Sequence, residues 1–572
     1  MNPDVFFENF ELLADAPNGV QKLRELILQL AVMGKLVEQD PNDEPASVLL
    51  EKIEAEKKRQ IKEKLIRSES FAPIKEDELF FKIPANWEWI RLGQIGDWGA
   101  GSTPNRKNPD YYDGTTKWFK SGELNDGYII ESEEKITDLA LKECSLRLNK
   151  KDDVLIAMYG ATIGKVAILD TEATTNQAVC ACTCFTGVYN RYLFFLLKAY
   201  LKYFASQGAG GAQPNISRIK IVNTVAPLPP LAEQKRIVAK VDELMSLCNK
   251  LEARRQKKQE IQSKLNSAAL DRMLSAESQE EFEHHWQRIC ENFDLLYDNP
   301  ENVGKLRQAI LQLAVQGKLV EQNPEDEPAS FLIEKINNEK KKLVKEGRIK
   351  KNKSFSSIET EEIPNELPKG WTLEYLRNIV LDFQNGTSKR DSSAGEPIPV
   401  LRLADIKSGK LCENSVREIN LTEKEALNYR VDKGDILVIR VNGSENLVGR
   451  FIPCVINRKW AYCDHLIRVK LPADCIDQHY LRIYAESSEA RSHILQKTIT
   501  TAGQKTINQV GLGSLPVLIP PLNEQKRIVE KVEQLMGLCD ELELKLRKER
   551  EDSGKLMETV VRGLLEGAVP EI

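Results

Sequence analysis

The chain is an internal tandem duplication, and this repeat limits the folds that it can adopt. Residues 23–53 and 306–336 are identical at 24 of 31 positions, and residues 229–252 and 520–543 are identical at 17 of 24. Self-similarity at a nearly constant offset indicates that one supersecondary arrangement is built twice. The stretches between the repeated blocks agree only at scattered positions. We therefore expect a repeated frame that carries two divergent modules.

The two divergent stretches, module 1 (residues 86–228) and module 2 (residues 369–519), are less acidic than the frame. At 572 residues the chain exceeds what one hydrophobic core supports, so several units are expected. Module 1 contains 16 basic and 15 acidic residues, a charge of +1, and module 2 contains 21 and 17, a charge of +4. Because the whole chain has a net charge of −5, the frame carries −10. A polyanion would therefore contact the modules. The excess is small, so it permits DNA binding without requiring it.

Composition also indicates where the protein resides. The sequence has no apolar run near 18 residues and no basic start followed by an apolar stretch, so we predict neither a membrane span nor a signal peptide. The 11 cysteines are scattered without paired CxxC motifs. The closest cysteine–histidine neighbours, Cys463 with His465 and Cys475 with His479, fit buried thiols better than a zinc site. Reduced thiols predict a cytoplasmic protein without a bound metal.

The repeated block that follows each Pro-Pro pair predicts a long helix. Its apolar residues alternate four and three positions apart, which is the spacing of a helix that buries a narrow stripe against another helix. About 40 residues without proline would form a rod of about 60 Å. The stripe comprises Ile237, Val241, Leu244, Cys248 and Leu251, resuming at Ile261 and Leu265, and in the second copy Ile528, Val532, Leu535, Cys539, Leu542 and Leu546, resuming at Leu556 and Val560.

The other repeated block predicts shorter partner helices. In the first copy Leu23, Ile27 and Leu30 share one helical face, and the run stops at Gly34. The second copy repeats this pattern and stops at Gly317. Glycine commonly follows the last residue of a helix. Charged helical segments are predicted next, at residues 46–67 and 329–346.

Each module begins alike and then predicts β-structure. Trp87 and Trp371 follow a proline by three residues, and we expect each indole to close the base of its module. Apolar strands are predicted at residues 153–160 and 435–443, each directly after a turn in the sequence. Short β-rich runs separated by Gly, Asn and Asp predict α/β or α+β modules with substantial sheets.

The loops between these strands differ completely and carry residues suited to contacting DNA. Arg, Lys, Asn and Gln provide paired hydrogen bonds to base edges, and Ser, Thr and glycine-rich backbone suit phosphates. Each loop alone is more typical of a surface turn, but their corresponding positions in two modules favour a DNA-binding surface. The predicted DNA-binding residues are Ser102, Thr103, Asn105, Arg106, Lys107, Lys117, Lys120, Tyr159, Thr162, Lys165, Gln213 and Arg218 in module 1, and Asn385, Thr387, Ser388, Lys389, Arg390, Arg402, Arg440, Asn442, Arg450, Gln504, Lys505 and Asn508 in module 2.

Catalytic motifs are weak in this sequence. Asp110 with residues 133–135 matches a loose nuclease pattern, and residues 160–165 fall one position short of a phosphate-binding loop and lack its Ser or Thr. Both Pro-Pro pairs are followed by leucine, so the Asn/Asp-Pro-Pro-aromatic element of adenine methyltransferases is missing. We therefore predict a non-catalytic protein whose modules contact DNA. The alternatives are a nuclease or methyltransferase acting alone and a coiled-coil scaffold that never contacts DNA.

The repeated blocks resemble the specificity (S) subunits of Type I restriction–modification systems. The resemblance lies in PPLAEQKRIVAKVDEL at residues 229–244, PPLNEQKRIVEKVEQL at residues 520–535 and LRQAILQLAVQGKLVEQNPEDEPAS at residues 306–330. It implies two target-recognition domains, each contacting one half of a bipartite DNA site, and helices that pair as an antiparallel coiled coil. It also implies two methyltransferase (M) subunits and further restriction (R) subunits as partners. ATP, Mg²⁺ and S-adenosylmethionine would belong to those partners, so no cofactor is expected in this chain.

The resemblance implies an α+β chain of two recognition domains joined by long helices in a pseudo-twofold, quasi-cyclic arrangement. The sequence departs from the commonest family pattern because a helical copy at residues 20–68 precedes the first domain. It would pair with the final helix, as residues 303–350 would pair with residues 231–274. A specificity subunit of a related combined restriction–methylation enzyme is an alternative. The expected domains are a helical segment at 1–85, recognition domain 1 at 86–228, a coiled-coil helix at 229–280, a linker with the second helical segment at 281–368, recognition domain 2 at 369–519 and a final coiled-coil helix at 520–572.

Overall fold

The computed structural model of the chain contains two compact units. Unit 1 comprises Met1–Gln259 and Glu549–Ile572, and unit 2 comprises Glu260–Lys548. The predicted mixture of long helices and sheets is confirmed. No helix in the described part of the chain is long and apolar enough to cross a membrane. The structure describes residues 10–208, 215–349, 358, 367–390, 394–407, 409–412, 416–455, 458–501 and 503–565.

Unit 1 contains the N-terminal helices of the frame and module 1. Its main sheet has the strand order β2-β9-β6-β7-β4, a smaller sheet has the order β5-β3-β8, and β1 pairs with β10. The helices are α1 Phe10–Ala14, α2 Gly19–Val32, α3 Ala46–Lys62, α4 Asp138–Glu143, α5 Asn190–Ala199, α6 Leu201–Gly208, α7 Arg218–Asn223 and α8 Leu231–Leu274; the strands are β1 Glu88–Arg91, β2 Gly96–Ala100, β3 Tyr112–Phe119, β4 Tyr128–Ile129, β5 Glu134–Ile136, β6 Val154–Ala157, β7 Val166–Leu169, β8 Thr174–Thr175, β9 Val179–Cys184 and β10 Val225–Leu228.

Unit 2 contains the second frame copy and module 2. Its main sheet has the order β12-β21-β17-β19, the smaller sheets have the orders β16-β13-β20 and β18-β23-β22, and β11 pairs with β24 and β14 with β15. The helices are α9 Gln279–Glu291, α10 Phe293–Leu296, α11 Pro300–Val315, α12 Ala329–Lys345, α13 Leu376–Ile379, α14 Glu423–Asn428, α15 Gln478–Glu486, α16 Ser488–Gln496, α17 Gln509–Gly513 and α18 Leu522–Leu565. The strands are β11 Thr372–Tyr375, β12 Asp382–Asn385, β13 Glu396–Leu401, β14 Ile406–Lys407, β15 Lys410–Leu411, β16 Glu418–Leu421, β17 Ile436–Ile439, β18 Val441–Asn442, β19 Phe451–Pro453, β20 Ala461–Tyr462, β21 Leu466–Lys470, β22 Ile499–Thr501, β23 Gln504–Thr506 and β24 Pro516–Ile519.

The two modules share a topology although their sequences diverge. In each, the first strand pairs antiparallel with the last, β1 with β10 and β11 with β24. In each, the second strand lies beside a late strand, β2 beside β9 and β12 beside β21. Parallel pairing of β3 with β8 corresponds to that of β13 with β20. The same fold therefore presents two unrelated sets of loops.

The long helices α8 and α18 contain 44 residues each, which corresponds to about 66 Å at 1.5 Å per residue. Helix α8 belongs to unit 1 up to Gln259 and to unit 2 from Glu260, and α18 passes from unit 2 to unit 1 at Glu549. In unit 1, α2 contacts both, because Arg24 bonds Glu252 of α8 at 2.9 Å and Lys22 bonds Glu558 of α18 at 3.0 Å.

In unit 2, α11 repeats this double contact. The ammonium of Lys305 lies 2.8 Å from the hydroxyl of Ser263 in α8, and Arg307 pairs with Asp540 of α18 at 2.6 Å. Each short helix therefore packs against both long helices, whereas the sequence suggested one partner for each.

The predicted apolar stripe is confirmed at its start and at Val560, but it is wrong at Ile261, Leu265 and Leu556. Ile237 and Val241 are fully buried, as is Ile528. However, Ile261, Leu265 and Leu556 are 54%, 46% and 53% exposed, and the buried positions are instead Gln262, Asn266 and Met557. A straight helix with 3.6 residues per turn drifts away from a strict heptad, and an 11-residue spacing follows it more closely. Leu251 to Gln262 and Leu546 to Met557 are each separated by 11 residues.

Each module is joined to the start of a long helix by a buried hydrogen bond. The indole of Trp87 donates to the carboxylate of Glu233 at 2.8 Å, and Trp371 donates to Glu524 at 3.1 Å. Both carboxylates are at most 1% exposed, and burial raises the pKa of each above its usual value. The predicted closure of each module base by tryptophan is confirmed.

The residues that follow each buried glutamate extend the junction. The amide oxygen of Gln234 accepts a bond from the backbone N–H of Tyr189 at 2.8 Å, and Gln525 accepts one from Asp477 at the same distance. Two residues further along, Arg236 forms a salt bridge of 2.6 Å with Asp43. Arg527 forms the matching bridge to Asp326 at 2.8 Å. The Glu-Gln-x-Arg pattern therefore links the helix to its module and to the preceding frame loop.

The glycines that end the shorter helices also belong to this junction. Gly34 and Gly317 have φ values of +68° and +69°. A Cβ atom at Gly34 would lie 2.5 Å from Cγ of Pro84, and one at Gly317 would lie 2.9 Å from Cγ of Pro368. Only glycine combines this backbone conformation with such a close approach. At both junctions the backbone of the frame glycine therefore lies directly against the proline ring that precedes the module tryptophan.

We expect Trp371→Phe to destabilise the protein by about 1–3 kcal/mol, because the buried carboxylate of Glu524 loses a donor. Trp87→Phe should cost less, since Gln39 continues to donate to Glu233. Chemical denaturation of the purified chain measures both losses. The matched control is Trp89→Phe, whose ring packs on Phe81 at 5.1 Å. Equal losses for all three variants would contradict the assigned role of the indole N–H groups.

Candidate nucleic-acid interface

Both modules form an equivalent corner where the loop after the second strand meets a turn. In module 1 the loop is residues 101–108 and the turn is residues 176–178; the N–H of Gly101 donates to the carbonyl of Val179 and that of Ser102 to Thr175, both at 3.0 Å. In module 2 the loop is residues 386–390 and the turn is residues 463–465. There the N–H of Gly386 donates to Leu466 at 3.2 Å and that of Thr387 to Tyr462 at 2.9 Å.

Where the loop of module 1 meets its turn, the contacts are between neutral polar groups. The hydroxyl of Thr103 donates to the side-chain carbonyl of Gln177. The carbonyl of Ser102 accepts from the indole of Trp118 at 3.1 Å. Two predicted DNA-binding residues, Ser102 and Thr103, therefore lie together here, and Gln177 is exposed beside them.

Arg106 is held in place by two aromatic rings. Its guanidinium carbon lies 4.8 Å from the ring centre of Tyr112 and 4.9 Å from that of Trp118, and it forms a salt bridge with Glu134. Its side chain is nevertheless 51% exposed. A planar guanidinium that is already stacked loses less conformational freedom on binding a further partner. Arg106 is therefore pre-organised for contact with an anion or a base edge.

Carboxylates of residues 131–134 pair with the predicted cations of module 1. Lys117 bonds Glu131 at 2.9 Å and Lys120 bonds Glu133 at 2.7 Å. Glu134 contacts both Arg106 and Lys120. The glutamates that resembled a nuclease motif thus form ion pairs with side chains predicted to contact DNA. This pairing reduces the positive potential of the surface.

The other predicted residues of module 1 fall into exposed and locally bonded groups. Arg218 is turned inwards, where it donates to the carbonyl of Trp98 at 2.8 Å and pairs with Glu69. Thr162 donates to the carbonyl of Tyr159 at 2.8 Å, and Asn105 accepts from the N–H of Lys107 at 3.0 Å. Gln213 lies outside the described residues. The exposed side chains are Asn105, Lys107, Tyr159 and Lys165.

The corner of module 2 is charged. Arg390 pairs with Asp464 at 2.8 Å, and the imidazole of His465 lies 3.2 Å from the same carboxylate oxygen. Arg440 donates to the backbone carbonyl of Asp464 at 3.0 Å. Partial burial raises the pKa of Asp464, but the hydrogen bond and charge of Arg390 and the proximity of His465 outweigh it, so that the pKa lies below its usual value. Asp464 therefore remains ionised between two predicted DNA-binding arginines.

Most other predicted residues of module 2 are bonded within the module. Thr387 is 2% exposed, whereas Ser388 and Gln504 are exposed. Lys505 pairs with Glu445. The remaining contacts are Lys389 with Glu425 at 2.7 Å, Arg402 with Asp405 at 3.4 Å, Arg450 with the carbonyl of Asn446 at 2.8 Å, Asn442 with the N–H of Ser444 at 2.8 Å, Asn508 with the N–H of Gly511 at 2.7 Å and Asn385 with the amide of Gln509 at 3.1 Å.

The turn of module 2 also contains potential metal ligands. One ligand atom each of Cys463, Asp464 and His465 lies within 4.8 Å of the others. The carboxylate of Asp464 is already bonded to Arg390. Cys463 is 5% exposed, and burial raises its pKa, which disfavours the thiolate that binds metals. Cys463 is therefore a buried thiol, as predicted from the sequence, and the carboxylate of Asp464 is engaged in an ion pair.

Gln177, Asp464 and the paired glutamates were not among the predicted DNA-binding residues. Asp464 stood beside Cys463 and His465 in the sequence, but nothing there indicated that it contacts Arg390. Those two residues are 74 positions apart, and Arg106 and Glu134 are 28 apart. Only the fold brings them together.

Comparisons with known proteins identify the family. The model of the Type I restriction modification DNA specificity domain matches residues 84–263 and 380–551. Two specificity subunits from Escherichia coli, of the Type I restriction enzymes EcoEI and EcoAI, are each 32% identical over 92% of this chain and cover 91% and 90% of their own lengths. The crystal structure of the HsdS subunit from Thermoanaerobacter tengcongensis is 18% identical, with a TM-score of 0.43 over 85% of this chain and 98% of that one.

The chain belongs to the family of Type I restriction–modification specificity subunits. The family model matches twice; the first match begins two residues before module 1, the second begins within module 2, and each continues into the long helix that follows. The resemblance seen in the repeated blocks is thereby confirmed. Each match covers most of one module together with part of a long helix.

We expect Glu134→Gln to increase the affinity of the assembled complex for non-specific duplex DNA, because Arg106 and Lys120 lose a paired carboxylate. The dependence of log K on log salt should steepen by about one for each additional phosphate that the complex binds. Titrations at several salt concentrations measure this slope. Glu172→Gln, at an exposed position between β7 and β8, removes the same charge as a control. Equal slopes for the two variants would contradict a masking role for Glu134.

Proposed function

We propose that module 1 contacts one half of a bipartite DNA site and module 2 contacts the other half. The observation that carries this proposal is the contrast between a shared scaffold and unrelated loops. Both modules have the same strand pairing and the same tryptophan–glutamate junction. Their corners nevertheless present a neutral pair in module 1 and a charged pair in module 2. Such differences at equivalent positions suit recognition of two different base sequences.

We further propose that the chain does not catalyse a reaction and acts within a larger complex. The duplicated frame would bind two methyltransferase subunits, and restriction subunits would join the full assembly. Support comes from the two equivalent short helices, α2 and α11, each of which contacts both long helices. S-adenosylmethionine, ATP and Mg²⁺ would be bound by those partner subunits. A cytoplasmic location fits the family and the 11 free cysteines.

As a second candidate, the chain is the specificity subunit of a related combined restriction–methylation enzyme, since such a subunit would have the same sequence features. A nuclease or methyltransferase acting alone is the remaining alternative. The purified chain, supplied with S-adenosylmethionine or Mg²⁺ and duplex DNA, tests whether the chain acts alone. Cleavage or methyl transfer without other subunits would contradict the non-catalytic role.

The long helices would set the spacing between half-sites. Two half-sites contacted from one face of DNA lie about one helical turn apart, or about 34 Å and 10 base pairs. Helices of 44 residues are long enough to span such a distance. Spacer length would then depend on helix length and not on the loops.

We expect Arg440→Ala and Gln504→Ala to reduce discrimination at the second half-site by about 10- to 100-fold, which corresponds to the loss of a paired base contact. The first half-site and the assembly of the complex should be unchanged. Sequencing of methylated bases in cells that carry the complete system measures both half-sites. Arg430→Ala is the matched control, because Arg430 pairs with Asp432 at 2.7 Å away from the corner. Full methylation of the original site by both variants would contradict the assignment of these loops.

We expect a seven-residue insertion in both long helices, after Gln259 in α8 and after Lys548 in α18, to lengthen the spacer by about three base pairs. Seven residues add about 10 Å and keep the buried stripe in phase. The half-site sequences should not change, and the same methylation sequencing measures the spacer. A five-residue insertion serves as the control, since it rotates the stripe by about 140° and should impair folding. An unchanged spacer in a folded seven-residue variant would contradict the proposed role of the helices.

A further inference from the structure

Gln177 and Asp464 occupy the same position in the two modules. Each lies two residues after a residue whose carbonyl accepts a bond from the facing loop, Thr175 in module 1 and Tyr462 in module 2. Each also lies two residues before the first bonded residue of the sheet strand, Val179 or Leu466. The backbone therefore presents these two side chains from the same point of the same fold.

The loop and the turn of each corner are in contact through glycine. A Cβ atom at Gly101 would lie 2.2 Å from the carbonyl oxygen of Thr175. A Cβ atom at Gly386 would lie 2.2 Å from the carbonyl oxygen of Cys463. Real Cβ atoms do not approach backbone oxygens this closely, so both positions require glycine. The corner is therefore a fixed platform on which the turn residue can vary.

In module 1 the turn residue is itself the exposed group. The hydroxyl of Thr103 donates to the side-chain carbonyl of Gln177 and thereby fixes the orientation of the amide. The amide N–H₂ and a second lone pair of the carbonyl remain for a further partner. A glutamine amide forms a paired contact with N6 and N7 of adenine.

In module 2 the turn residue instead holds an arginine. One terminal nitrogen of Arg390 is bonded to Asp464, while the Arg390 side chain remains 54% exposed. The guanidinium has five N–H donors, so others remain for a base. Arginine forms a paired contact with O6 and N7 of guanine. A carboxylate behind the guanidinium fixes the direction of those donors.

We propose that this turn position determines one base preference in each half-site. Gln177 contacts a base through its amide, and Asp464 acts as a positioning residue that presents Arg390 to a guanine. This inference rests on the proposed half-site recognition by the modules and adds the residues that carry it. A simpler role for Asp464 would be to neutralise Arg390 and stabilise the turn. In that case Asp464→Ala would reduce methylation equally at every base sequence.

The test for module 2 is a double-mutant cycle in the assembled complex. Asp464→Ala, Arg390→Ala and the double variant are compared by sequencing of methylated sites. If Asp464 acts through Arg390, the double variant shows the same relaxed preference as Arg390→Ala alone. The relaxation should affect one position of the second half-site by about 10-fold or more and leave the first half-site unchanged. Asp432→Asn, which removes a carboxylate paired with Arg430, is the matched control.

The test for module 1 is Gln177→Glu. A carboxylate accepts from the N4 amino group of cytosine and repels the acceptors of a purine, so the preference at one position of the first half-site should move towards cytosine. Asn125→Asp is the matched control: this exposed side chain already accepts from the N–H of Gly127 at 3.1 Å, and an aspartate retains that bond while adding the same charge.

Three outcomes would overturn the inference. These are unchanged preferences in the variants, equal methylation loss at every sequence, and additive effects in the double variant. These outcomes do not contradict the proposed recognition of two half-sites, provided that the unaltered complex methylates a bipartite site. An unaltered complex whose target shows no two-part sequence would instead contradict the proposed function.

Discussion

The hydrogen bond between a module tryptophan and a buried glutamate at the start of a long helix is the interaction on which the rest of each unit depends. A carboxylate that is almost fully buried is stable only with donors around it, and the indoles of Trp87 and Trp371 supply them. The position of the helix start therefore determines the position of the module base. Glycine at the end of the shorter helix places the frame against the same point. Helix, module and frame thus share one junction, and it is built twice.

This junction explains how the sequence could diverge so far between its repeated blocks. The contacts of this junction involve the first residues of each module and the residue before one of its helices, Tyr189 before α5 and Asp477 before α15, and they leave the loops of the corners free to vary. In module 1 the loops assemble a stacked arginine surrounded by glutamates, whereas in module 2 they assemble two arginines around one aspartate. Recognition chemistry can change without a change in the scaffold.

The sequence predicted the features that depend on local periodicity and repetition. The helical stripe from Ile237 to Leu251, the helix ends at Gly34 and Gly317 and the closing tryptophans all follow from spacing and residue type. The stripe was wrong at Ile261, Leu265 and Leu556, because the helices follow an 11-residue spacing there. The partners of Arg106 and Arg390 could not be predicted, because the two residues of each pair are 28 and 74 positions apart in the sequence. Composition indicated that the loops suit DNA, but not which side chains lie at an exposed corner and which, like Arg218, turn inwards.

The most direct measurement of this account is the target of a chain in which residues 86–228 are replaced by a second copy of residues 369–519. Since both modules use the same junction, the account predicts a folded chain whose complex methylates a site with the second module's sequence in both halves. Retention of the original two-part target, or failure of the chain to fold although both junction glutamates retain a tryptophan, would contradict it.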